Sequence, residues 1–307
     1  MLFVTGATGY LGTALIDLLL DRGLPVRAMV RSPERAGRLP AKVERVAADL
    51  SDEDMLAQAM AGCEAVFHLA ASLGATVTET RDINVEGTRR VLRAARRAGV
   101  RRVVHTSSSA AIIEASGRVS ERANGGTALV DPYSTTKAEA ERLVLHAAKE
   151  GIDARVVNVV NAYGPSPVGP RSYNALLLAA VRGEAGPVVD APVGWVLAED
   201  LAIGHLLALE RGEAGKRYLL CGEVATFSTV LDRAAELWGS PHRVQALPPG
   251  TTLRPGASAW ARRSEVYGKL GPVSIDDSQA RALGFQPRGI DEGLRITVEW
   301  LRTQIHT

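Results

Sequence analysis

Apolar runs alternate with amphipathic stretches along the first 160 residues or so. The short apolar runs predict strands buried on both faces, at Leu2–Thr5, Val26–Val30, Val43–Ala47, Ala65–Leu69, Arg102–Thr106 and Ala154–Val160. The stretches with helical spacing predict helices at Tyr10–Asp21, Asp52–Met60, Glu79–Ala98 and Asp131–Glu150. Such alternation predicts an α/β protein with a Rossmann-type, doubly wound parallel sheet.

The alternation ends after residue 162, where three prolines between 165 and 170 predict a loop. The remaining pattern predicts helices at Tyr173–Arg182, Glu199–Glu210 and Ile290–Gln304, and a strand at Arg217–Cys221. Residues 247–271 contain Pro248, Pro249 and Pro255 and are predicted to be irregular. We expect a nucleotide-binding domain of residues 1–162 plus about 193–222, and a smaller substrate lobe of about 163–192 and 223–307.

Composition narrows the class of protein further. The 307 residues are 46% hydrophobic and 23% charged, which is ordinary for a soluble globular chain. A net charge of +2 gives no reason to expect a nucleic acid or a membrane as partner, and the six scattered histidines predict no metal site. Two isolated cysteines, together with a first strand that begins at the first residues, predict a cytoplasmic location.

Three glycines, Gly6, Gly9 and Gly12, lie between the first strand and the first helix. A tight glycine turn at this point exposes backbone N–H groups at the positive end of a helix dipole, which suits a pyrophosphate. Their spacing is G-x-x-G-x-x-G, and an ordinary surface turn is the alternative.

The ends of the second and third strands carry the residues that select a nucleotide. Arg31 and Ser32 supply a cation and a hydroxyl, where a carboxylate would instead bind the ribose 2′-hydroxyl, so they favour a 2′-phosphate. Asp49 and Leu50 are placed to meet the adenine. The alternatives are a surface arginine at position 31 and an aspartate that caps the next helix at position 49.

Tyr133 and Lys137 lie four residues apart on a predicted helix, so that their side chains share a face. Asp131 is a suitable N-cap and Pro132 a suitable first residue, which places Tyr133 in the first turn. The helix dipole and the ammonium are expected to lower the pKa of the phenol and prepare it for acid–base chemistry. A chance pairing of this spacing on a helix is the alternative.

Residues His105–Ala110 leave the carboxyl end of a predicted central strand, where open α/β sheets bind their ligands. A serine of this run could bind the same substrate oxygen as Tyr133, and a serine-rich turn is the alternative.

Together these motifs resemble the extended short-chain dehydrogenase/reductase family, which is also known as the NAD-dependent epimerase/dehydratase family. The resemblance covers nearly the whole chain and is clearest at TGATGYLG (5–12), ADL (48–50), FHLAA (67–71), NVEGT (84–88), HTSSSA (105–110), YSTTK (133–137) and NAYGP (161–165). It is strongest with the dihydroflavonol-reductase-like branch. The chain departs from the family at Asn158-Val159, where many members have Arg-Pro.

The resemblance implies a role for each site residue. Tyr133 is the general acid/base, Lys137 binds the nicotinamide ribose, and Ser108 orients the substrate oxygen. The cofactor-binding residues implied are Gly6, Thr8, Gly9, Tyr10, Leu11, Gly12, Arg31, Ser32, Asp49, Leu50, Leu69, Ala70, Ala71, Thr106, Asn158 and Val160. The candidate substrate contacts are Ser109, Asn161, Tyr163 and Tyr173.

We therefore expect an NADP(H)-dependent oxidoreductase that acts on a small carbonyl compound or alcohol, with NAD(H) as a second cofactor. One alternative is a nucleotide-sugar epimerase or dehydratase with bound NAD(P), and another is a non-catalytic NADP(H) sensor. The resemblance also implies a homodimer formed through the helices at 79–98 and 131–150.

Overall fold

The computed structural model describes residues 1–74, 76–124 and 126–304. Its strands, in chain order, are β1 (Leu2–Thr5), β2 (Val26–Val30), β3 (Glu44–Ala47), β4 (Ala65–His68), β5 (Arg102–Ser108), β6 (Arg118–Ser120), β7 (Asp153–Val159), β8 (Asn161–Tyr163), β9 (Val188–Val189), β10 (Pro192–Leu197), β11 (Arg217–Leu220), β12 (Glu223–Thr226), β13 (Ala246–Leu247) and β14 (Ser274–Asp276). Its helices are α1 (Tyr10–Asp21), α2 (Pro33–Ala36), α3 (Glu53–Met60), α4 (Val77–Arg81), α5 (Gly87–Arg97), α6 (Pro132–Lys149), α7 (Tyr173–Arg182), α8 (Ala198–Arg211), α9 (Phe227–Trp238), α10 (Ala259–Tyr267), α11 (Ser278–Ala282) and α12 (Ile290–Thr303).

Seven parallel strands form the central sheet in the order β3-β2-β1-β4-β5-β7-β11. Helices cover both faces, because the strands carry apolar side chains on both sides. Leu15 of α1 and Leu201 of α8 pack on one face, and Leu56 of α3, Val91 of α5 and Val144 of α6 pack on the other. The predicted Rossmann-type fold class is confirmed.

The other strands form three small sheets, ordered β12-β10-β8, β13-β9 and β14-β6. The core near them is aromatic. The Tyr173 ring lies 5.3 Å from that of Trp195, which lies 5.2 Å from that of Phe227, centroid to centroid. These contacts tie α7 and α9 to β10, and the boundary between a nucleotide domain and a substrate lobe stays a prediction.

The helix expected over 79–98 begins earlier and is not uniform. It starts at Val77 and contains a π-helical segment at Asp82–Glu86 between α4 and α5. Within this segment the Asn84 amide accepts from the Ser72 N–H (2.8 Å) and donates to the Ser72 carbonyl (3.0 Å) and the Thr136 hydroxyl (3.1 Å). These bonds hold the widened turn against α6.

The prediction that residues 247–271 are irregular was wrong in part. Residues 248–258 lie outside helices and strands, but the stretch also contains Leu247, the last residue of β13, and the helix α10. The three prolines all precede Ser258, whose hydroxyl accepts from the Ala261 N–H (3.1 Å) and caps α10. The helix α9, which was not predicted, is capped in the same way by Thr226.

Three buried histidines lie in or beside the central sheet. His68 forms hydrogen bonds with the hydroxyls of Thr5 (2.7 Å) and Thr88 (3.0 Å). His105 lies 5.2 Å from His68, ring to ring, and neither of its nitrogens has a hydrogen-bond partner among the described residues. Burial lowers the pKa of His68 to about 3 and that of His205 to about 4, and it also lowers the pKa of His105.

These histidines predict a loss of stability in mild acid. Their pKa values in the fold lie below the ordinary value of 6.5, so the unfolded chain takes up protons first. The stabilising contribution of His68 is full above pH 6.5, begins to be lost below that value, and continues to decrease until the pH reaches the folded-state pKa of about 3. By about pH 5, His68 and His205 are each expected to lower the free energy of unfolding by about 2 kcal/mol, and His105 acts in the same direction.

Urea unfolding at about pH 7 and about pH 5 measures this loss. His68→Gln is expected to reduce the pH dependence, whereas His146→Gln, at a side chain that is 70% exposed, is expected to leave it unchanged. Equal urea midpoints at the two pH values would contradict the prediction.

Candidate active site

The glycine turn after β1 leads into helix α1, whose N-terminus faces the edge of the sheet. Gly6 adopts a left-handed conformation (φ +69°), and its carbonyl accepts from the Gly9 N–H (2.9 Å). Helix α1 then begins at Tyr10 with no side-chain cap and no acidic residue in its first turn, as far as the described residues go. The positive end of its dipole is therefore left for an anion.

Two of the glycines are required by close approach of the backbone. A Cβ at Gly6 would lie 2.6 Å from the Ala70 nitrogen at the end of β4. A Cβ at Gly12 would collide with the Gly6 carbonyl oxygen. The turn therefore packs against β4 and α1 at the closest distance that a backbone allows.

Two cavities lie on either side of this turn. The aromatic cavity, of about 440 Å³, is named for Tyr133, Tyr173, Trp260 and Tyr267, and Ser108 and Arg263 also line it. The arginine cavity, of about 460 Å³, is named for Arg31, Arg38 and Arg90, with Asp49 and Leu50 among its other residues. Both are lined by Gly6, Gly9, Leu69, Ala71 and Arg171. The turn thus stands in the middle of one long groove.

Arg31 and Arg38 are exposed cations in the arginine cavity. Neither makes a hydrogen bond or ion pair within the part of the chain that the structure describes, whereas Arg90 donates to the Leu50 carbonyl (3.3 Å) and Asp82 (3.4 Å). Arg31 and Arg38 are therefore available to an anion at this end of the groove. The structure places Ser32 outside the lining of both cavities.

Asp49 lines the arginine cavity, and one of its carboxylate oxygens is held by hydrogen bonds within the chain. Its Oδ1 accepts from the N–H (2.8 Å) and the hydroxyl (2.6 Å) of Ser51, and these bonds hold the pKa of Asp49 below its ordinary value. Asp52, not Asp49, caps the following helix by accepting from the Met55 N–H. The alternative in which Asp49 is the cap was wrong.

Ser108 and Tyr133 both line the aromatic cavity. Ser108 ends β5, and Tyr133 stands in the first turn of α6 because Asp131 caps that helix by accepting from the Ser134 N–H (3.1 Å). The nearby Ser108 hydroxyl favours the Tyr133 phenolate. Burial outweighs it, and the pKa of Tyr133 is raised above its ordinary value. The predicted lowering of this pKa was wrong for this structure.

Lys137 is buried behind the cavity, with its ammonium directed to the backbone. Its Nζ donates to the carbonyl of Thr106 in β5 (2.6 Å). Burial lowers the pKa of Lys137 to about 8, opposed by the carboxylate of Glu141 one turn along α6. Burial is the largest cause of the raised Tyr133 pKa, which explains why the expected lowering fails.

Arg263 of α10 lies between the aromatic rings of the cavity. Its guanidinium carbon is 5.9 Å from the ring centroid of Tyr133 and 5.3 Å from that of Tyr267. Its Nη1 lies 3.2 Å from Oδ1 of Asp131, the N-cap of α6. A cation from α10 is thus joined to the helix that carries Tyr133.

Several predicted site residues face elsewhere. The Thr106 hydroxyl bonds to His205 (2.8 Å), and the Asn158 amide donates to Glu141 (2.7 Å) and the Ser108 carbonyl (3.1 Å). Tyr163 is buried in the core 6.3 Å from the Trp195 ring. Ser109 lines only a small void beside Asn161. Among the described residues, none of these four side chains reaches the two cavities.

The remaining predicted residues line one cavity or the other. The aromatic cavity includes Tyr10, Leu11, Gly12, Val160, Asn161 and Tyr173. The arginine cavity includes Thr8, Leu50 and Ala70.

Sequence reasoning missed several cavity residues that carry charge or rings, among them Arg38, Trp260, Arg263 and Tyr267. Residues 260, 263 and 267 follow helical spacing, a signal that could have revealed one face of α10. Arg38 had no comparable signal, because a short helix and a turn bring it back toward Arg31. Arg171 was also missed, next to Ser172 with its unusual positive φ of +58°.

The groove fits a dinucleotide on two observations. The uncapped N-terminus of α1 lies at its centre, as a pyrophosphate requires. The buried Nδ2 of Asn161, in the aromatic cavity, has no hydrogen-bond partner among the described residues and can donate to a ligand oxygen. Within the described ranges there is no cluster of metal-ligating side chains and no helix long and apolar enough to cross a membrane.

A glycine turn at the carboxyl edge of a sheet with this strand order defines the dinucleotide-binding Rossmann class. Residues 2–221 match the model of the NAD dependent epimerase/dehydratase family, and the chain belongs to that family. It is an NAD(P)-dependent oxidoreductase of the extended short-chain dehydrogenase/reductase type.

Individual relatives agree with this family over most of the chain. Sterol demethylase protein B of Methylococcus capsulatus is 37% identical over 254 residues, 80% of this chain and 77% of that protein. A Synechocystis protein provisionally named dihydroflavonol 4-reductase is 34% identical over 98% of this chain and 94% of its own. The structure of MoeE5 in complex with UDP-glucose and NAD has a TM-score of 0.80 at 28% identity and covers 99% of both chains.

The contact at Gly6 predicts that Gly6→Ala destabilises the fold more than a left-handed conformation alone explains. Gly23 has the same φ of +69° but no atom within 4 Å of its added Cβ, so Gly23→Ala is the matched control. We expect the control to lower the free energy of unfolding by about 1–2 kcal/mol and Gly6→Ala to lower it by at least about 1 kcal/mol more. Urea unfolding measures both, and equal losses would show that the contact with Ala70 is unimportant.

Proposed function

We propose that this protein is an NADP(H)-dependent oxidoreductase that interconverts a small ketone or aldehyde and its alcohol. The observation that carries the proposal is the meeting of Ser108, Tyr133 and the glycine turn in one cavity. A hydroxyl and a phenol that both face the space beside a dinucleotide groove are the groups that this chemistry needs.

Each of the chain's own site residues has a separate role in the proposed reaction. A bound nicotinamide supplies or accepts the hydride. Tyr133 donates its phenolic proton to the carbonyl oxygen in reduction and takes it back from the carbinol in oxidation. Ser108 donates a hydrogen bond to the same oxygen. The family resemblance assigns the nicotinamide ribose to Lys137, which would have to turn its ammonium from the Thr106 carbonyl toward the cavity. The free Nδ2 of Asn161 is a further donor at this end of the groove.

The two arginines at the adenosine end of the groove support NADP(H) over NAD(H). Arg31 and Arg38 line the arginine cavity without a hydrogen bond or ion pair in the described part of the chain. Two available guanidinium groups favour a 2′-phosphate, and Asp49 is bound to Ser51. Gly6, Gly9 and the first turn of α1 hold the pyrophosphate, and Leu50 and Ala70 contact the adenosine half.

A nucleotide-sugar epimerase or dehydratase is the second candidate. The observation in its favour is the likeness to MoeE5, which was solved with UDP-glucose and NAD. Arg171 at the junction of the two cavities could bind the diphosphate of such a substrate. The arginines at the adenosine end favour the reductase, and the dihydroflavonol 4-reductase name of one relative agrees with that order.

The assembly and the location of the protein are part of the same proposal. We propose a cytoplasmic homodimer, joined through the faces of α5 and α6 that point away from the sheet. Arg93 and His146 stand on these faces and are exposed, so the proposed interface is polar in part.

The reaction is tested by a screen of carbonyl compounds and nucleotide sugars, followed through the absorbance of reduced nicotinamide. We expect one NADPH consumed per product, and Tyr133→Phe is expected to lower turnover at least about 100-fold, because it removes the proton donor. NADPH affinity is expected to change little. Tyr218→Phe, at a core tyrosine that accepts from the Glu213 N–H, is the matched control.

Two outcomes would contradict this proposal. Turnover without net cofactor consumption would favour the epimerase, and undiminished turnover by Tyr133→Phe would remove Tyr133 from the mechanism.

The cofactor preference is tested by calorimetry with NADPH and NADH. We expect tighter binding of NADPH, and a loss of about 10- to 100-fold in NADPH affinity for Arg31→Ala or Arg38→Ala, because a charge-assisted hydrogen bond to the 2′-phosphate is removed. NADH affinity is expected to stay unchanged in both variants. Arg22→Ala, at an exposed arginine that ends α1, is the control. NADH binding as tight as NADPH binding would contradict the assignment.

A further inference from the structure

The aromatic cavity carries positive charge without a compensating negative charge in its described lining. The guanidinium groups of Arg171 and Arg263 line it, and none of its described lining residues is an aspartate or a glutamate. Guanidinium groups are the side chains best suited to bind a carboxylate, because their planar fork matches its two oxygens. A ligand that brings its own carboxylate therefore complements this cavity.

The two arginines differ in what they border. Arg171 is exposed and lines both cavities beside Gly6 and Gly9, the turn at which the proposed function places the pyrophosphate. Its guanidinium is thus placed for a cofactor phosphate. Arg263 lines the aromatic cavity alone of the two cavities, together with Tyr133. It is therefore the cation on the substrate side of the groove.

Arg263 is held in place by two rings and one carboxylate. Its guanidinium carbon lies 5.9 Å from the ring centroid of Tyr133 and 5.3 Å from that of Tyr267. Its Nη1 lies 3.2 Å from Oδ1 of Asp131, and the side chain is 18% exposed, so solvent screens its charge only in part. A guanidinium has five N–H donors, so the contact with Asp131 leaves donors for a further anion.

Asp131 opposes the charge of Arg263 but is also engaged by its own helix. Its two oxygens accept from Ser134, one from the N–H (3.1 Å) and the other from the hydroxyl (2.7 Å). The dipole of α6 favours a carboxylate at this N-terminus. Asp131 is not among the described residues that line the cavity, whereas Arg263 is. The cavity is thus exposed to the guanidinium and not to the carboxylate.

The size of the aromatic cavity favours a small ligand. Its volume of about 440 Å³ is near the lower end of the range for ligand pockets, about 300–1,000 Å³, and the nicotinamide has to share it. The rings of Tyr133, Tyr173 and Trp260 suit a flat or apolar body. A small molecule with one carboxylate fits these limits better than a nucleotide sugar, which brings a whole nucleotide.

We infer that Arg263 is a specificity residue that binds a carboxylate of the substrate, and that the substrate class is a small aromatic or apolar keto acid or aldehyde acid with its hydroxy acid as product. The guanidinium donates to the carboxylate, while Ser108 and Tyr133 bind the carbonyl oxygen. The carbonyl carbon gains the hydride, its oxygen gains the Tyr133 proton, and the carboxylate is not altered. This inference rests on the proposed function, which supplies the reaction at Tyr133.

The test compares substrates that differ in this charge alone. The para and meta isomers of carboxybenzaldehyde are each measured against their methyl esters at saturating NADPH. We expect a higher kcat/KM for the acids. Arg263→Met is expected to lower it about 10- to 100-fold for the acids and to change it little for the esters, because a charge-assisted hydrogen bond is lost. A general loss of folded enzyme cancels in the acid-to-ester ratio.

Further variants distinguish substrate binding from a structural role. Arg263→Lys keeps the charge without the planar fork and is expected to retain part of the preference for acids. Asp131→Asn keeps a helix cap and removes the opposing charge, so this preference is expected to increase. Arg262→Met, at the exposed neighbour that donates to the Arg254 carbonyl, is expected to leave the ratio unchanged. Arg171→Met is expected to weaken NADPH binding and to affect acids and esters alike.

An acid-to-ester ratio that moves in neither Arg263→Met nor Asp131→Asn overturns the inference. If Arg263→Met does not fold, Asp131→Asn alone decides.

Binding of benzoate tests the carboxylate site without any turnover. Calorimetry compares benzoate with its neutral analogue methyl benzoate on the protein saturated with NADP⁺. We expect benzoate to bind more tightly and Arg263→Met to abolish the difference. Such a difference in a protein that reduces no carbonyl compound would sink the proposed function and leave the carboxylate site standing. Equal turnover of acids and esters, with no preference for benzoate, would do the reverse.

Discussion

The contact between the backbone of Gly6 and that of Leu69 and Ala70 sets the geometry on which the whole groove depends. Strands β1 and β4 are paired neighbours, so the two chain segments leave the sheet side by side. The Thr5 hydroxyl joins them by accepting from the Ala70 N–H (3.2 Å) and bonding to His68. Because the turn packs directly against the segment that follows β4, one groove passes over it, and both cavities share its residues.

The parts of the structure that could be predicted from sequence are those with local causes. Continuous apolar strands indicate a sheet covered on both faces, and glycines behind the first strand indicate the turn. Ser108 and Tyr133 come together because parallel strands bring their carboxyl ends to one edge, so topology places them without knowledge of side-chain packing. For the same reason Arg31, Asp49 and Leu50 share a cavity.

The parts that could not be predicted depend on what packs against what. The prolines before α10 suggested an irregular segment, although the serine that caps this helix follows them. Because the helix was not predicted, Arg263 on it was missed as well. Spacing alone placed Lys137 on the face of Tyr133, but the nearest acceptor for its ammonium is a strand carbonyl. The pKa of Tyr133 is raised because the side chain is buried. The local sequence around Tyr133 does not reveal this burial, because it depends on distant segments that pack against the ring. Arg38 reaches Arg31 only through the path of the chain after β2.

The π-helical segment at Asp82–Glu86 changes the rotational register of the side chains within one continuous helix. A wider turn takes up an additional residue, so the side chains after it are rotated relative to those before it. Before the segment, Arg81 pairs with Glu139 of α6, whereas after it Arg97 pairs with Glu53 and Asp54 of α3. A periodicity fitted to the whole length of this helix therefore averages two registers.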